Sequence, residues 1–254
     1  MKKLIQLSAL AIIVLLSACT SHYQLTDMSR TRIIIDKTYD VNPDAAAIAF
    51  LTPYKQKVDS LMGPVVGRVA HDMEANRPEG DLSNLLPDIL IHMAQHYNEA
   101  PDFAVYNMGG IRAGLAKGEV TYGDVLDVAP FENKICFISL KGDKVLELFS
   151  QIAHRGGEGV SRGVQLEITK DGKLLSARLF GKAIDPEANY RIATIDYLAQ
   201  GNDGLTAFKS GTNLNSPTDE KNNARFVIRD YFLEMSKQGK VVDSKVEGRI
   251  VVDN

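Results

Sequence analysis

Residues 107–112 read Asn107-Met108-Gly109-Gly110-Ile111-Arg112 and follow directly on the apolar run Phe103–Tyr106. An apolar run of this length, bounded by turn residues, is typical of a buried strand. Glycines reach backbone conformations that other residues avoid, so a ligand can approach the main chain closely. An asparagine amide donates and accepts hydrogen bonds, and an arginine fork matches carboxylate or phosphate. The segment is a candidate ligand loop, and a tight turn with a surface arginine is the competing interpretation.

Two other segments carry aromatic and polar residues at the ends of predicted elements. Pro130-Phe131-Glu132-Asn133 lies where a predicted helix ends and a strand begins. Tyr197-Leu198-Ala199-Gln200-Gly201-Asn202-Asp203-Gly204 follows another predicted strand. Each has an ordinary explanation, because an aromatic residue such as Phe131 is more often part of the core. An aspartate between glycines, such as Asp203, usually belongs to a turn.

The rest of the sequence mixes helical and strand patterns without strict βαβ order. Apolar spacing predicts helices over residues 43–61, 83–97, 143–153 and 226–235. An N-cap pattern at Thr121 and Asp124 predicts a further helix that ends at Pro130. Strands are predicted over residues 32–39, 65–69, 103–106, 135–140, 164–169, 173–180, 190–196 and 248–252. Asp171-Gly172 indicates a hairpin turn, and residues 156–163 are a predicted loop. This mixture predicts an α+β fold of stacked layers.

In this order and spacing, the three segments resemble the C-terminal domain of the 5′-nucleotidase family. That family includes bacterial periplasmic UDP-sugar hydrolases and animal ecto-5′-nucleotidase. The resemblance runs from about residue 40 to residue 210 and passes through Thr121-Tyr122-Gly123-Asp124-Val125-Leu126 and Leu140-Lys141-Gly142. Phe131 stands nineteen residues after Arg112, which makes the pattern specific. The resemblance implies a layered α/β/β/α arrangement of mixed sheets and helices.

The resemblance also implies which residues bind substrate. They are Arg77, Asn107, Gly109, Gly110, Arg112, Phe131, Tyr197 and Asp203. In the family, two aromatic rings stack on the faces of the base, and these positions correspond to Phe131 and Tyr197. The family aspartate that contacts ribose corresponds to Asp203, and Arg77 is the candidate for an upstream arginine that contacts phosphate or the nucleoside. Two rings around a base contribute about 1–3 kcal/mol each and tolerate any base.

Three positions depart from the family pattern. Tyr197 stands where the family usually has phenylalanine, so its hydroxyl needs a hydrogen-bond partner. Asn202 replaces a common glycine before the aspartate. Met108 replaces a residue that is often small. None of these changes removes a binding group, so the predicted site is retained.

Hydrolysis in the family belongs to a separate N-terminal metallophosphatase domain that binds two metal ions. Its motifs are Asp-x-His, Gly-Asp and Gly-Asn-His with a later histidine, and this sequence contains no Asp-x-His and no Gly-Asn-His. His92 and His96 stand four residues apart on a predicted helix but lack the glutamate of a zinc-protease motif. Solvated or packed imidazoles are the preferred interpretation. We therefore expect no cofactor in this chain, with divalent metals such as zinc or manganese confined to a separate metallophosphatase subunit.

Two functions fit these expectations. The first is the recognition half of a 5′-nucleotidase in nucleotide catabolism, which binds a nucleotide or nucleoside and works with that separate subunit. The second is a free-standing nucleotide- or nucleoside-binding lipoprotein without catalysis. A structural lipoprotein with a decayed pocket is disfavoured because the mapped side chains could still bind. A cysteine phosphatase is excluded because Gly142 stands six residues after Cys136, where that chemistry needs arginine.

The first nineteen residues predict export and lipid attachment. Lys2 and Lys3 precede a short apolar stretch, and Leu16-Ser17-Ala18-Cys19 then resembles the bacterial lipobox. A plain secretory signal or a membrane anchor is the alternative. The predicted organisation is a lipoprotein signal over 1–19 with Cys19 acylated, a tether over 20–31 and the domain over 32–254. The predicted location is the membrane surface of the bacterial periplasm or the outer membrane.

The charge balance argues against a nucleic-acid partner. The formal net charge is −3, and removal of Lys2 and Lys3 with the leader lowers it to −5. Binding to a nucleic-acid polymer requires a basic face, so an acidic chain of this kind is not expected to bind one nonspecifically. A local basic pocket for a small anion is still compatible with this charge.

Overall fold

The computed structural model describes residues 24–34 and 36–253. The contacts separate the chain into two units, residues 1–50 and 51–254. The predicted signal segment and Cys19 lie outside the described residues. In the first unit, Lys37–Val41 form a 3-10 turn in which the Thr38 amide donates to Asp36 at 2.9 Å. The strand predicted over residues 32–39 is therefore wrong, because the side chain of Asp36 caps a local turn and competes with extended pairing.

The predicted helix over residues 43–61 is confirmed as α1, Ala45–Met62. It contains Pro53, and none of its residues is buried. Within residues 24–34 and 36–253, no helix combines the length and the apolar character that crossing a membrane requires.

The second unit holds the remaining helices and the sheets. Helices α2 to α6 are, in chain order, Asp81–Met93, Tyr122–Val128, Gly142–His154, Asp196–Ala199 and Ala224–Lys237. Strands β1 to β11 are Val65–Val69, Phe103–Tyr106, Gly118–Thr121, Ile135–Lys141, Gly159–Val160, Val164–Thr169, Leu174–Leu179, Lys182–Ala183, Asn189–Ile195, Thr212–Asn215 and Ile250–Asp253. The mixture of helices and mixed sheets confirms the predicted α+β fold.

The central sheet positions the candidate ligand loop. Its strand order is β10-β4-β9-β2-β5, with β2 parallel to β9 and β4 antiparallel to β9. Phe103 on β2 and Phe137 on β4 are fully buried, as is Phe149 on α4. Burying a large apolar side chain contributes about 1.5–3 kcal/mol to stability. These rings therefore stabilise the sheet and hold the ends of its strands in position.

A second sheet has the order β11-β6-β7-β8, and α4 contacts strands of both sheets. The predicted hairpin at Asp171-Gly172 is confirmed, since β6 and β7 are antiparallel and Gly172 has a φ of 80°. Strands β1 and β3 form a separate antiparallel pair.

Several local predictions are confirmed and others need correction. Thr121 caps α3 in a capping box with Asp124. The helix predicted over residues 83–97 divides into α2 and a 3-10 turn, Ala94–Tyr97, which ends at Asn98 in the left-handed conformation. The loop predicted over residues 156–163 contains strand β5, which pairs with β2. Cys136 is buried, and that burial raises the pKa of its thiol to about 12, in agreement with a packing role.

Candidate functional site

The candidate ligand loop begins where β2 ends. Asn107 is only 4% exposed, and Met108–Gly110 form one 3-10 turn in which the Gly110 amide donates to the Asn107 carbonyl at 3.0 Å. The side-chain oxygen of Asn107 is buried without a hydrogen-bond partner. A Cβ atom on Gly110 would lie 2.5 Å from that oxygen, closer than real contacts allow. A larger residue at position 110 would therefore displace the Asn107 side chain from its place under the turn.

Asp203 joins this loop to the segment that follows β9. Its backbone has a φ of 54°, the left-handed region that aspartate tolerates better than most residues. The side-chain amide of Asn107 donates through Nδ2 to Asp203 Oδ2 at 2.8 Å, and the Tyr197 hydroxyl donates to Asp203 Oδ1 at 3.0 Å. One carboxylate thus fixes side chains from two loops that are about ninety residues apart in sequence.

Tyr197 has the hydrogen-bond partner that its hydroxyl requires. The hydrogen bond to Asp203 raises the pKa of the Tyr197 hydroxyl above its ordinary value. The ring is partly buried. The side chain of Asn202 donates to the Tyr197 carbonyl at 2.8 Å. The asparagine that replaces a common glycine therefore forms a hydrogen bond within its own loop.

Phe131 is 46% exposed and is therefore not a core residue. The first residues of α6 hold its loop: the Ala224 amide donates to the Asn133 carbonyl at 2.7 Å, and Arg225 Nη1 donates to the Pro130 carbonyl at 3.2 Å. An aromatic ring presented to solvent by a loop that is fixed on both sides is suited to contact a ligand.

These loops enclose a pocket of about 200 Å³. It is lined by Asn107, Gly109, Gly110, Phe131, Asn133, Tyr197 and Asp203. Every residue predicted to bind substrate lines this pocket, except for the two arginines. Asn133 is an addition that the sequence did not single out, although it closes the Pro130-Phe131-Glu132-Asn133 segment.

The two arginines lie elsewhere. Arg112 is exposed and lines a shallow depression with Glu74 and Ala113, while its amide donates to the Val128 carbonyl at 3.0 Å. Arg77 Nε donates to the Gly157 carbonyl at 2.8 Å, and its Nη2 donates to Glu158 at 2.6 Å. The structure therefore separates both arginines from the lining of the pocket.

Arg155 and Glu158 are polar residues near the pocket that the sequence did not indicate. Arg155 Nη2 lies 3.9 Å from Asp203 Oδ2, and Glu158 is 2% exposed. Burial opposes the charged form of Arg155, but the hydrogen bond to Glu158 and the nearby carboxylates outweigh it and raise the pKa of the guanidinium. A glutamate inside the glycine-rich run 156–163 was the available signal, because a charge in a tight backbone segment needs nearby partners.

The histidine pair has a carboxylate between its members. His92 Nε2 lies 3.2 Å from one oxygen of Glu234, and His96 Nε2 lies 2.7 Å from the other. Among residues 24–34 and 36–253, no group of three or more histidine, cysteine, aspartate or glutamate side chains is arranged to hold a metal ion. Each imidazole lies within contact distance of a Glu234 oxygen, which is an ordinary packing role.

The fold and the pocket define an α+β domain with a cleft formed by the loops at the ends of its strands. Residues 65–210 match the family described as 5′-nucleotidase, C-terminal domain. The chain belongs to this family, and the resemblance seen in its three segments is confirmed.

Known relatives share this region. Protein UshA of Yersinia enterocolitica is 30% identical over 170 residues, which are 66% of this chain and 31% of that protein. A 5′-nucleotidase of Vibrio cholerae is 28% identical over 171 residues, with the same coverage of 66% and 31%. The crystal structure of a 5′-nucleotidase precursor from Thermus thermophilus has a TM-score of 0.71 and 28% identity, covering 82% of this chain and 43% of that one. The chain spans about a third of the length of its curated relatives.

Proposed function

We propose that this chain binds a nucleotide or nucleoside in the pocket between the Asn107 loop, Phe131 and Tyr197. The observation that carries the proposal is the convergence of two aromatic side chains and two polar ones, Asn107 and Asp203, on one cleft. Aromatic faces stack on any base, and a carboxylate accepts hydrogen bonds from ribose hydroxyls. Membership of the 5′-nucleotidase C-terminal domain family supports the same ligand class.

Hydrolysis belongs, in this proposal, to a metallophosphatase domain carried by a separate polypeptide. The relatives named above include proteins called 5′-nucleotidase, and this chain matches about a third of their length. Two metal ions in such a domain activate water and stabilise the phosphoryl transition state. The chain then supplies recognition while the separate subunit supplies the divalent metals, such as zinc or manganese.

Calorimetry and phosphate release test this proposal together. We expect the purified chain to bind AMP and adenosine and to release no phosphate from AMP with Mn²⁺, Zn²⁺ or Co²⁺ present. Adding a metallophosphatase encoded beside this chain should create 5′-nucleotidase activity. If AMP binds but that subunit adds no turnover, the free-standing binding protein is the correct interpretation. Metal-dependent turnover by the pure chain would show that the division of labour is wrong.

The proposed location is a membrane surface, reached through lipid on Cys19 after export. The support is the order of charge, apolar stretch and small residues before the cysteine. We expect a Cys19→Ser variant to be recovered in the soluble fraction and to incorporate no labelled fatty acid, whereas a Cys136→Ser variant should remain membrane-bound. A Cys19→Ser variant that is exported and still labelled would disprove lipid attachment at this residue.

A further inference from the structure

Glu158 lies at the point where three separate groups meet behind the pocket. Its side chain has no solvent exposure and accepts hydrogen bonds from the Met108 amide, from Arg77 Nη2 and from Arg155 Nε. One oxygen, Oε2, serves the Met108 amide, and the other, Oε1, serves both arginines. The carboxylate therefore links the candidate ligand loop to two cations.

The three charged side chains at this point carry one more positive than negative charge, which Asp203, 3.9 Å from Arg155, balances. A buried carboxylate is costly unless it is paired and hydrogen-bonded. Here two guanidinium groups and one amide compensate a single negative charge, so the three side chains together carry a formal charge of +1. Charge-assisted hydrogen bonds of this kind are short and about twice as strong as neutral ones.

Both arginines keep part of their surface open. The side chains of Arg77 and Arg155 are 39% and 30% exposed. Arg155 also faces Asp203, a residue that lines the pocket, across 3.9 Å. Both guanidinium groups therefore keep surface that the contact with Glu158 does not occupy, and that of Arg155 lies beside a residue of the pocket.

We propose that Arg155 determines specificity for the phosphate of a bound nucleotide, and that Glu158 is the positioning residue that holds Arg155, Arg77 and the Met108 amide in place. This inference rests on the proposed function, because it assigns an end of the same pocket. In this assignment, the phosphate lies on the side of Asp203 that faces Arg155, and the base lies between Phe131 and Tyr197.

Replacing Glu158 by glutamine tests the two roles of the carboxylate, which holds the Met108 amide and the arginine pair. An amide has one acceptor oxygen and one donor nitrogen, so it cannot accept from the Met108 amide and from the arginines at once. Either the loop or the arginine pair loses its partner. A hydrogen bond to a charged group contributes about 1.5–3 kcal/mol, which corresponds to roughly a 10- to 100-fold change in affinity.

Calorimetric titration of the full chain with AMP and with adenosine tests the inference. We expect Arg155→Gln to weaken AMP binding about tenfold or more and to change adenosine binding little, which lowers the AMP-to-adenosine affinity ratio. We expect Glu158→Gln to lower the same ratio, because a neutral amide no longer holds the arginine pair through a charge-assisted contact. The matched control is Glu187→Gln, at an exposed glutamate that forms a surface ion pair with Lys141; this variant should bind both ligands like the wild type.

The affinity ratio distinguishes positioning from general destabilisation, which would weaken both ligands alike. A ratio that stays at the wild-type value in Arg155→Gln and Glu158→Gln overturns the inference, as does a wild type that binds adenosine as tightly as AMP. The second result leaves nucleoside binding itself intact, whereas a wild type that binds neither ligand defeats the proposed function and this inference together. If Glu158→Gln does not fold, Arg155→Gln and Arg77→Gln decide the question through the same ratio.

Discussion

The Phe131→Ala/Tyr197→Ala double variant is expected to lose measurable AMP binding while keeping its fold. Each stacked ring contributes about 1–3 kcal/mol to the binding of a base, so losing both weakens binding by roughly 30-fold to 10⁴-fold. The fold should persist because Phe131 is 46% exposed and Tyr197 is only partly buried, so little core is removed. Calorimetry with AMP measures the first effect, and thermal unfolding measures the second.

Two single variants serve as controls for the aromatic pair. Phe180→Ala removes a ring that is 69% exposed and lines a different depression, so AMP affinity should not change. Tyr197→Phe keeps the ring but removes the hydroxyl that donates to Asp203, so it should weaken binding far less than Tyr197→Ala. A double variant that binds AMP within threefold of the wild type would show that the base does not lie between these rings.

The loops of the pocket were predictable through the family resemblance rather than through their local chemistry. Taken alone, Phe131 fitted a core residue and Asp203 an ordinary turn, and only their order and spacing with the Asn107 loop indicated a site. The structure then shows how residues that are far away in the sequence complete the loops of the pocket. The carboxylate of Asp203 serves both Asn107 and Tyr197, and α6 fixes the loop of Phe131 from outside the region that matches the family.

The arginine positions were not predictable in the same way. A motif places the backbone of Arg112, but the direction of a long flexible side chain depends on tertiary contacts. The link between Arg77 and Glu158 spans 81 residues, and no periodicity reports such a contact. Short strands such as Thr212–Asn215 and Gly159–Val160 also escape prediction, because their pairing is imposed by neighbouring strands rather than by their own pattern.

Arg249→Met is expected to have the largest effect on stability. Arg249 is 3% exposed; its guanidinium makes a bidentate contact with Asp88 at 2.9 and 2.7 Å and donates to the Val160 carbonyl at 2.8 Å. A second carboxylate, Glu247, accepts from it at 2.9 Å. One side chain thus joins the start of β11 to α2 and to strand β5, which directly follows Glu158.

Methionine replaces the packing of the arginine stem but removes the guanidinium from Asp88 and from the buried Val160 carbonyl, while Glu247 keeps its ion pair with Arg162. Removing one partner of a buried ion pair costs about 3–5 kcal/mol, and partial exposure of Asp88 and Glu247 places the expected loss near the lower value. Urea unfolding of the full chain should show the loss as a lower midpoint at unchanged slope. The control Arg178→Met removes an exposed arginine on β7 and should unfold like the wild type. If Arg249→Met unfolds at the same urea concentration as that control, the buried guanidinium does not hold these elements together.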